Sequence, residues 1–253
     1  MEIRVVPPRA VAELGAELVA EGLAAAGRAE PTLMPALGTS ALGVYGALAG
    51  TIDGPAVRLI QLDEYVGVPA DDPRSLYGWL LRDVARPLGI AEDRVVRLRG
   101  DVDDLAVACR AYDDAVAAAG GIDVAVLGLG PNGHLGFNEP PSASDAPTRA
   151  VRLTEASLAA NARYWPGLAV PTEAVTAGMS TILAARRLIL VVTGNGKRAI
   201  LRSFLEGPIS PDLPATFVRE RADAILIADS AAWPPDVARP SDVARPPVAA
   251  ETR

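Results

Sequence analysis

The sequence predicts an α/β fold in three layers, a mostly parallel twisted sheet with helices on both faces. Three observations predict it. Apolar runs of strand length alternate along the chain with Ala-rich amphipathic stretches of helix length. The run Asp123-Val124-Ala125-Val126-Leu127 is apolar beyond its first residue and rich in β-branched residues, as strands buried on both faces are. Several runs then break into Gly, Thr, Ser or Asn before the next helix, which places polar groups at the carboxyl ends of strands, where open α/β sheets bind ligands.

The elements follow in order. Ile3 to Val6 reads as the first strand and Val11 to Ala26 as the first helix. Thr32 to Leu37 is a strand leading to a helix over Leu42 to Ala49, and Val57 to Leu62 is the next strand. Helices are expected over Leu76 to Val84 and Asp103 to Ala119, followed by the strand Asp123 to Leu127. A helix over Met179 to Ala184, the strand Leu188 to Val192, a helix from Lys197 to Leu205 and the strand Ala224 to Ala228 complete the regular part. After Asp229 the character changes. Trp233-Pro234-Pro235-Asp236-Val237-Ala238-Arg239-Pro240 is followed by a second Asp242-Val243-Ala244-Arg245-Pro246-Pro247, and such Pro-rich chain builds neither sheet nor helix. The expected organisation is one domain over 1–229 and a Pro-rich tail over 230–253.

Composition narrows the function. The 253 residues are half hydrophobic, enough for a sizeable core. Lys plus Arg number 24 against 31 Asp plus Glu, a net charge of −7 that argues against a nucleic-acid binder but leaves room for a local basic pocket. The single cysteine, Cys109, lies in an Ala-rich helical stretch and reads as inert core; a lone thiol fits a reducing compartment. The first residues lack the apolar core of a signal peptide, and runs such as Leu188 to Val192 are too short to span a bilayer. The expectation is a cytoplasmic protein with no membrane partner.

Four strand ends carry residues suited to chemistry. Gly128-Leu129-Gly130-Pro131-Asn132-Gly133-His134 offers the only histidine of the chain, with Glu139 five residues on. An imidazole exchanges protons near pH 7, and a carboxylate beside it fixes its orientation. Gly38-Thr39-Ser40 opens a helix, where backbone amides and hydroxyls bind anions; the same hydroxyls can equally cap the helix, and both can hold together. Asp63-Glu64 follows an apolar strand. In extended chain the two point to opposite faces, so one is expected to meet a ligand as a base, unless both merely cap the next helix. Thr193-Gly194-Asn195-Gly196-Lys197 places a lysine at a helix start, unfavourable for the dipole unless an anion is held there. Arg163 is a second cationic arm or an ordinary surface residue. These pieces predict a phosphate pocket beside a proton-transfer site, and no metal-ligand spacing is seen.

Leu62-Asp63-Glu64-Tyr65-Val66-Gly67, Asn132-Gly133-His134-Leu135-Gly136-Phe137-Asn138-Glu139-Pro140, and Ala174-Val175-Thr176-Ala177-Gly178 with Thr181-Ile182-Leu183 resemble the glucosamine-6-phosphate deaminases, in order and rough spacing. The glycine-rich approach to His134 is shared with 6-phosphogluconolactonases; Phe137-Asn138-Glu139-Pro140 and Asp63-Glu64-Tyr65 are more specific to the deaminase branch. The resemblance spans the first strand to Asp229. It implies a Rossmann-like fold of the deaminase type and a cofactor-free aldose–ketose isomerisation that releases ammonia from a sugar phosphate and gives fructose 6-phosphate. In that reading His134 opens the pyranose ring and Asp63 shuttles the C2 proton towards C1 through an enolamine. Glu139 and Asn132 position and polarise His134, while Gly38, Thr39, Ser40, Arg163 and Lys197 hold the phosphate.

The chain departs from the family in places. Asn132 stands where many members carry Asp. Val151 replaces a basic residue of the allosteric forms, although Arg149 matches another such position. The Pro-rich tail replaces their carboxyl-terminal extension. These departures imply hyperbolic kinetics without an allosteric effector, and a monomer or small homo-oligomer. Leu76 stands where an aromatic residue is frequent, which leaves the preferred sugar open. The other readings are a 6-phosphogluconolactonase, with no need of the Asp63 shuttle, a diverged isomerase of a specialised pathway, and a sugar-phosphate-sensing module. Asp63, His134 and Glu139 together favour turnover over sensing.

Overall fold

The computed structural model describes residues 1–239. Its main sheet has seven strands: β1 (Glu2–Val6), β2 (Thr32–Pro35), β3 (Arg58–Ile60), β5 (Val95–Val96), β6 (Val124–Gly128), β9 (Arg187–Val192) and β10 (Ala224–Asp229). The order is β1-β10-β9-β6-β2-β3-β5 and every pairing is parallel. Successive side chains along the strands enter different cores. Leu33, Leu59, Val126, Ile189 and Ile227 pack against α1 (Val11–Ala25) and α2 (Thr39–Leu48). Met34, Ile60, Leu127, Leu190 and Leu226 pack on the other face against α5 (Leu105–Ala118), α7 (Met179–Leu183) and α8 (Arg198–Glu206). The three-layer α/β architecture is the expected one, and its strands are apolar on both faces for this reason.

A second sheet was not expected. Strands β4 (Asp63–Tyr65), β7 (Arg149–Arg152) and β8 (Glu173–Thr176) form an antiparallel three-stranded sheet in the order β4-β8-β7. The strand expected over Val57 to Leu62 is shorter, Arg58–Ile60. Ile60 is its last residue in the main sheet. Gln61 then uses its side chain as a bracket, accepting from the Leu98 amide at 3.0 Å and donating to the Asp63 carbonyl at 2.9 Å. Beyond it the chain enters the small sheet.

Other boundaries shift by a few residues. Helix α2 begins at Thr39 rather than Leu42, because Gly38 takes the extended N-cap conformation. The helix expected over Leu76 to Val84 is α3 (Leu76–Trp79), continued through a π-helical segment, Leu80–Ala85, into α4 (Arg86–Leu88). Helix α6 (Glu155–Asn161) was not foreseen. On the tail side of the expected boundary at Asp229, Ala232 and Trp233 are buried against the sheet, and the Trp233 indole donates to the Val237 carbonyl at 2.9 Å. The second Pro-rich repeat lies outside the described residues. Among the described residues no helix is long and apolar enough to cross a membrane.

Candidate active site

A cavity of about 180 Å³ opens at the carboxyl ends of β2, β3, β6 and β9, where each strand has just left the sheet. Gly38, Thr39, Ser40, Asp63, His134, Arg163 and Lys197 all line it. The only histidine and the only lysine of the chain thus share one cleft. Asn132 and Glu139 do not line it; they stand behind His134.

His134 follows the turn after β6, and its ring packs flat on Gly130. A Cβ at position 130 would stand 2.1 Å from the ring carbon Cδ2, so only glycine admits the imidazole. Nδ1 faces the protein, 3.4 Å from Glu139 Oε2 and 3.2 Å from Ser157 Oγ. Among the described residues Nε2 has no protein partner, which leaves it for the cleft. Glu139 is buried and well supplied with donors. Asn132 Nδ2 reaches its Oε2 at 2.6 Å, Thr154 Oγ1 the same oxygen at 3.1 Å, and the Thr154 amide its Oε1 at 3.3 Å. Burial alone would raise this carboxyl. Hydrogen bonds from His134, Ser157 and Asn132 outweigh it and bring the pKa down to about 2. Asn132 touches the backbone amide of His134 at 3.3 Å, not the ring, so its influence passes through Glu139.

Asp63 and Glu64 divide as alternation on a strand requires. Glu64 is fully buried and accepts from the amides of Tyr65, Leu76 and Tyr77 at 2.8, 2.9 and 2.8 Å, fastening the start of α3. Asp63 turns into the cleft, where among the described residues its carboxylate meets no hydrogen-bond donor. Burial first, and the neighbouring Glu64 charge second, push its pKa up to about 8. Opposite Asp63 in the small sheet lies Thr176, whose hydroxyl accepts from the Phe137 amide at 3.1 Å. Asp63 and the His134 loop are therefore registered through one residue.

The far end of the cleft is built for an anion. The first amides of α2, which a helix leaves without internal partners, open beside Thr39 and Ser40. Ser40 Oγ lies 2.7 Å from Thr193 Oγ1, joining the loop after β2 to that after β9. The latter turns at Gly194, φ 87°, whose amide donates to the buried Asp229 carboxylate at 3.0 Å. Lys197 donates to the Leu129 carbonyl at 2.6 Å; burial, then the neighbouring Arg163 charge, lower its pKa. Neither cation makes an ion pair among the described residues. An uncompensated positive end of this kind suits a doubly charged phosphate.

Several site residues escape a reading of the sequence. At the start of α6, Ser157 reaches the His134 ring and Thr154 reaches Glu139; their spacing signals only an N-cap, Thr154 Oγ1 accepting from the Ser157 amide. Trp79 and Tyr164 meet edge-on at the cleft mouth, centroids 4.9 Å apart, beside the buried Leu76. Arg149 is committed internally, donating to Asn138 Oδ1 at 2.8 Å and to Ser142 Oγ at 2.7 Å, and so braces the loop that carries Glu139.

A family model of glucosamine-6-phosphate isomerases/6-phosphogluconolactonase matches residues 8–227. The chain is 41% identical over 241 residues to the glucosamine-6-phosphate deaminase of Streptomyces avermitilis, covering 92% of this chain and 91% of that protein. It is 34% identical over 225 residues to glucosamine-6-phosphate deaminase 2 of Bacillus subtilis, covering 86% of this chain and 90% of that one. Among solved structures, a monomeric glucosamine-6-phosphate deaminase superposes with a TM-score of 0.86 at 31% identity, over 92% of this chain and 98% of its own. A 6-phosphogluconolactonase from Thermotoga maritima superposes at 0.73 with 19% identity, over 90% and 99%, a likeness of fold alone.

Proposed function

Because the chain belongs to the family of glucosamine-6-phosphate isomerases and 6-phosphogluconolactonases, we propose that its cleft converts glucosamine 6-phosphate and water to fructose 6-phosphate and ammonia. The observation that carries this reading is a donor-free Asp63 carboxyl and a braced His134 in the same cleft as an uncompensated cationic end.

The phosphate sits on the amides and hydroxyls of Gly38, Thr39 and Ser40, between Lys197 and Arg163. Those contacts orient the sugar so that its ring oxygen meets His134, which transfers a proton as the C1–O5 bond breaks. Asp63 then takes the C2 proton. The electrons of that C–H bond form the C1=C2 double bond of an enolamine while the C1 carbonyl π pair moves onto O1, which takes a proton; the proton then returns at C1 as the nitrogen lone pair closes the C2=N bond. Water hydrolyses the resulting C2 imine, and the nitrogen leaves as ammonia. Glu139, with Asn132 behind it, holds the imidazole and balances its charge whenever the ring is protonated. A lactonase needs the histidine but gives Asp63 nothing to do, so the deaminase reading uses more of the site.

The same reading takes the protein as a cytoplasmic enzyme, a monomer or small homo-oligomer, that works without a cofactor. The test is direct. Incubation with glucosamine 6-phosphate should release ammonia and fructose 6-phosphate in equal amounts. Absence of both, with hydrolysis of 6-phosphogluconolactone instead, would exchange the assignment for the lactonase one.

A further inference from the structure

Ser157 is the closest hydroxyl to the ring on which this reading turns, and no step above employs it. It lies fully buried in the first turn of α6, its Oγ nearer to His134 Nδ1, at 3.2 Å, than Glu139 Oε2 is at 3.4 Å. The protons here can be assigned one by one. Thr154 has a single hydroxyl proton and two acceptors, the Glu139 carboxylate at 3.1 Å and Ser157 Oγ at 3.3 Å. The nearer acceptor is anionic and takes it. Were Nδ1 bare, its lone pair would face that same carboxylate, an arrangement with no proton between two acceptors. Nδ1 therefore carries the proton, and the nearest oxygen to receive it belongs to Ser157.

We propose that Ser157 is a positioning residue that receives the Nδ1 proton of His134 and so fixes the tautomer that presents a bare Nε2 to the cleft. The proposal rests on His134 being the acid/base of the proposed reaction. It adds which nitrogen works and which group selects it. A side chain 23 positions away in sequence thereby governs the histidine as directly as Glu139 does.

The chain's single histidine makes the test unambiguous, because protein without a histidine tag gives one imidazole signal set. Long-range ¹H–¹⁵N spectra of protein labelled with ¹⁵N-histidine, recorded where the ring is neutral, should show the Nδ1–H tautomer. Ser157→Ala should move the spectrum towards a mixture of tautomers. It should also lower kcat about 10-fold to 30-fold, as losing one buried hydrogen bond implies, at unchanged KM. Ser157→Thr should restore both readouts. An Nε2–H tautomer in the unsubstituted protein overturns the proposal, and so does a Ser157→Ala spectrum identical to it. A raised KM at constant kcat also overturns it, since it would mean that the serine only shapes the turn leading to Arg163. The spectra need no substrate, so failure of the deamination assay would leave the tautomer result standing on its own.

Discussion

Asp63 and Glu64 are adjacent carboxylates with opposite fates, and the contrast defines what Asp63 can do. With its pKa near 8, Asp63 keeps its proton through most of the neutral range. The kcat/KM profile should therefore rise with pH and level off above about 8, because only the carboxylate can remove the C2 proton. Asp63→Asn should abolish that limb and lower kcat by about 10²–10⁴-fold while the phosphate still binds. The same substitution carries a stability signature. A carboxyl whose folded pKa is raised contributes stability below its unfolded value near 3.8, which is lost as pH rises through 8. Asp63→Asn should thus raise Tm at pH 8 and leave it almost unchanged below pH 4, and a lower Tm at pH 8 would contradict the raised pKa. At the other end, Lys197→Ala should increase KM about 10-fold to 100-fold with a smaller effect on kcat, since the phosphate contact persists from ground to transition state. Competition by inorganic phosphate should weaken in parallel. Lys197 was readable because its strand dissolves into glycines, and Asp63 because a pair of carboxylates ends an apolar run. Ser157 and Thr154 were not, because nothing in their local pattern distinguishes a helix cap from a support for the imidazole.

At the level of elements, the parallel strands announce themselves through unbroken apolar runs such as Leu188 to Val192, buried on both faces. The small sheet does not. Arg149–Arg152 alternates half-buried and exposed positions and carries an arginine at each end, and Glu173–Thr176 is four residues long. Such strands gain their stability from pairing with each other, which no single window of sequence contains. Helix α3 shows a similar dependence on distant residues. Its start is fastened by Glu64 through the Leu76 and Tyr77 amides, with Ser75 accepting from the Gly78 amide at 2.8 Å. Glu64→Ala strands those amides in a dry interior and should cost about 2–4 kcal/mol in denaturant unfolding. It should also blur the cleft mouth, because Leu76 and Trp79 lie on that helix. A loss below about 0.5 kcal/mol would show that the carboxylate is dispensable as a cap.

Over the whole molecule, acid stability and the packing of the carboxyl-terminal segment can be tested together. Glu139 falls from an ordinary 4.5 to about 2 on folding, so its contribution is complete above about pH 4.5 and disappears as pH drops towards 2. The shift corresponds to about 3 kcal/mol at neutral pH. Glu139→Gln should flatten the acid limb of the stability curve between those values. Trp233 lies beyond the last strand yet is buried, and Trp233→Ala should lose about 3–5 kcal/mol while kcat of the folded fraction is retained. The sequence placed a boundary at Asp229 because prolines stop regular structure, but proline does not prevent the indole just before it from filling a gap in the core.

The register of β4 against β8 has a consequence for how such a site can change over time. Thr176 faces Asp63 across the ladder and receives the Phe137 amide, so the base and the loop of the acid hang from a single rung. The turn Gly38–Ser40 and Lys197 are attached elsewhere, to β2 and β9, whereas Arg163 follows β7 of the small sheet through α6. The segments after β2 and β9 can therefore lengthen, shorten or tilt around the phosphate without disturbing the gap between the two proton-handling groups, whereas the mouth, built by Leu76, Trp79 and Tyr164 on chain that follows β4 and β7, moves with the small sheet. The small sheet works as a caliper: it sets one dimension of the chemistry and leaves the others to drift.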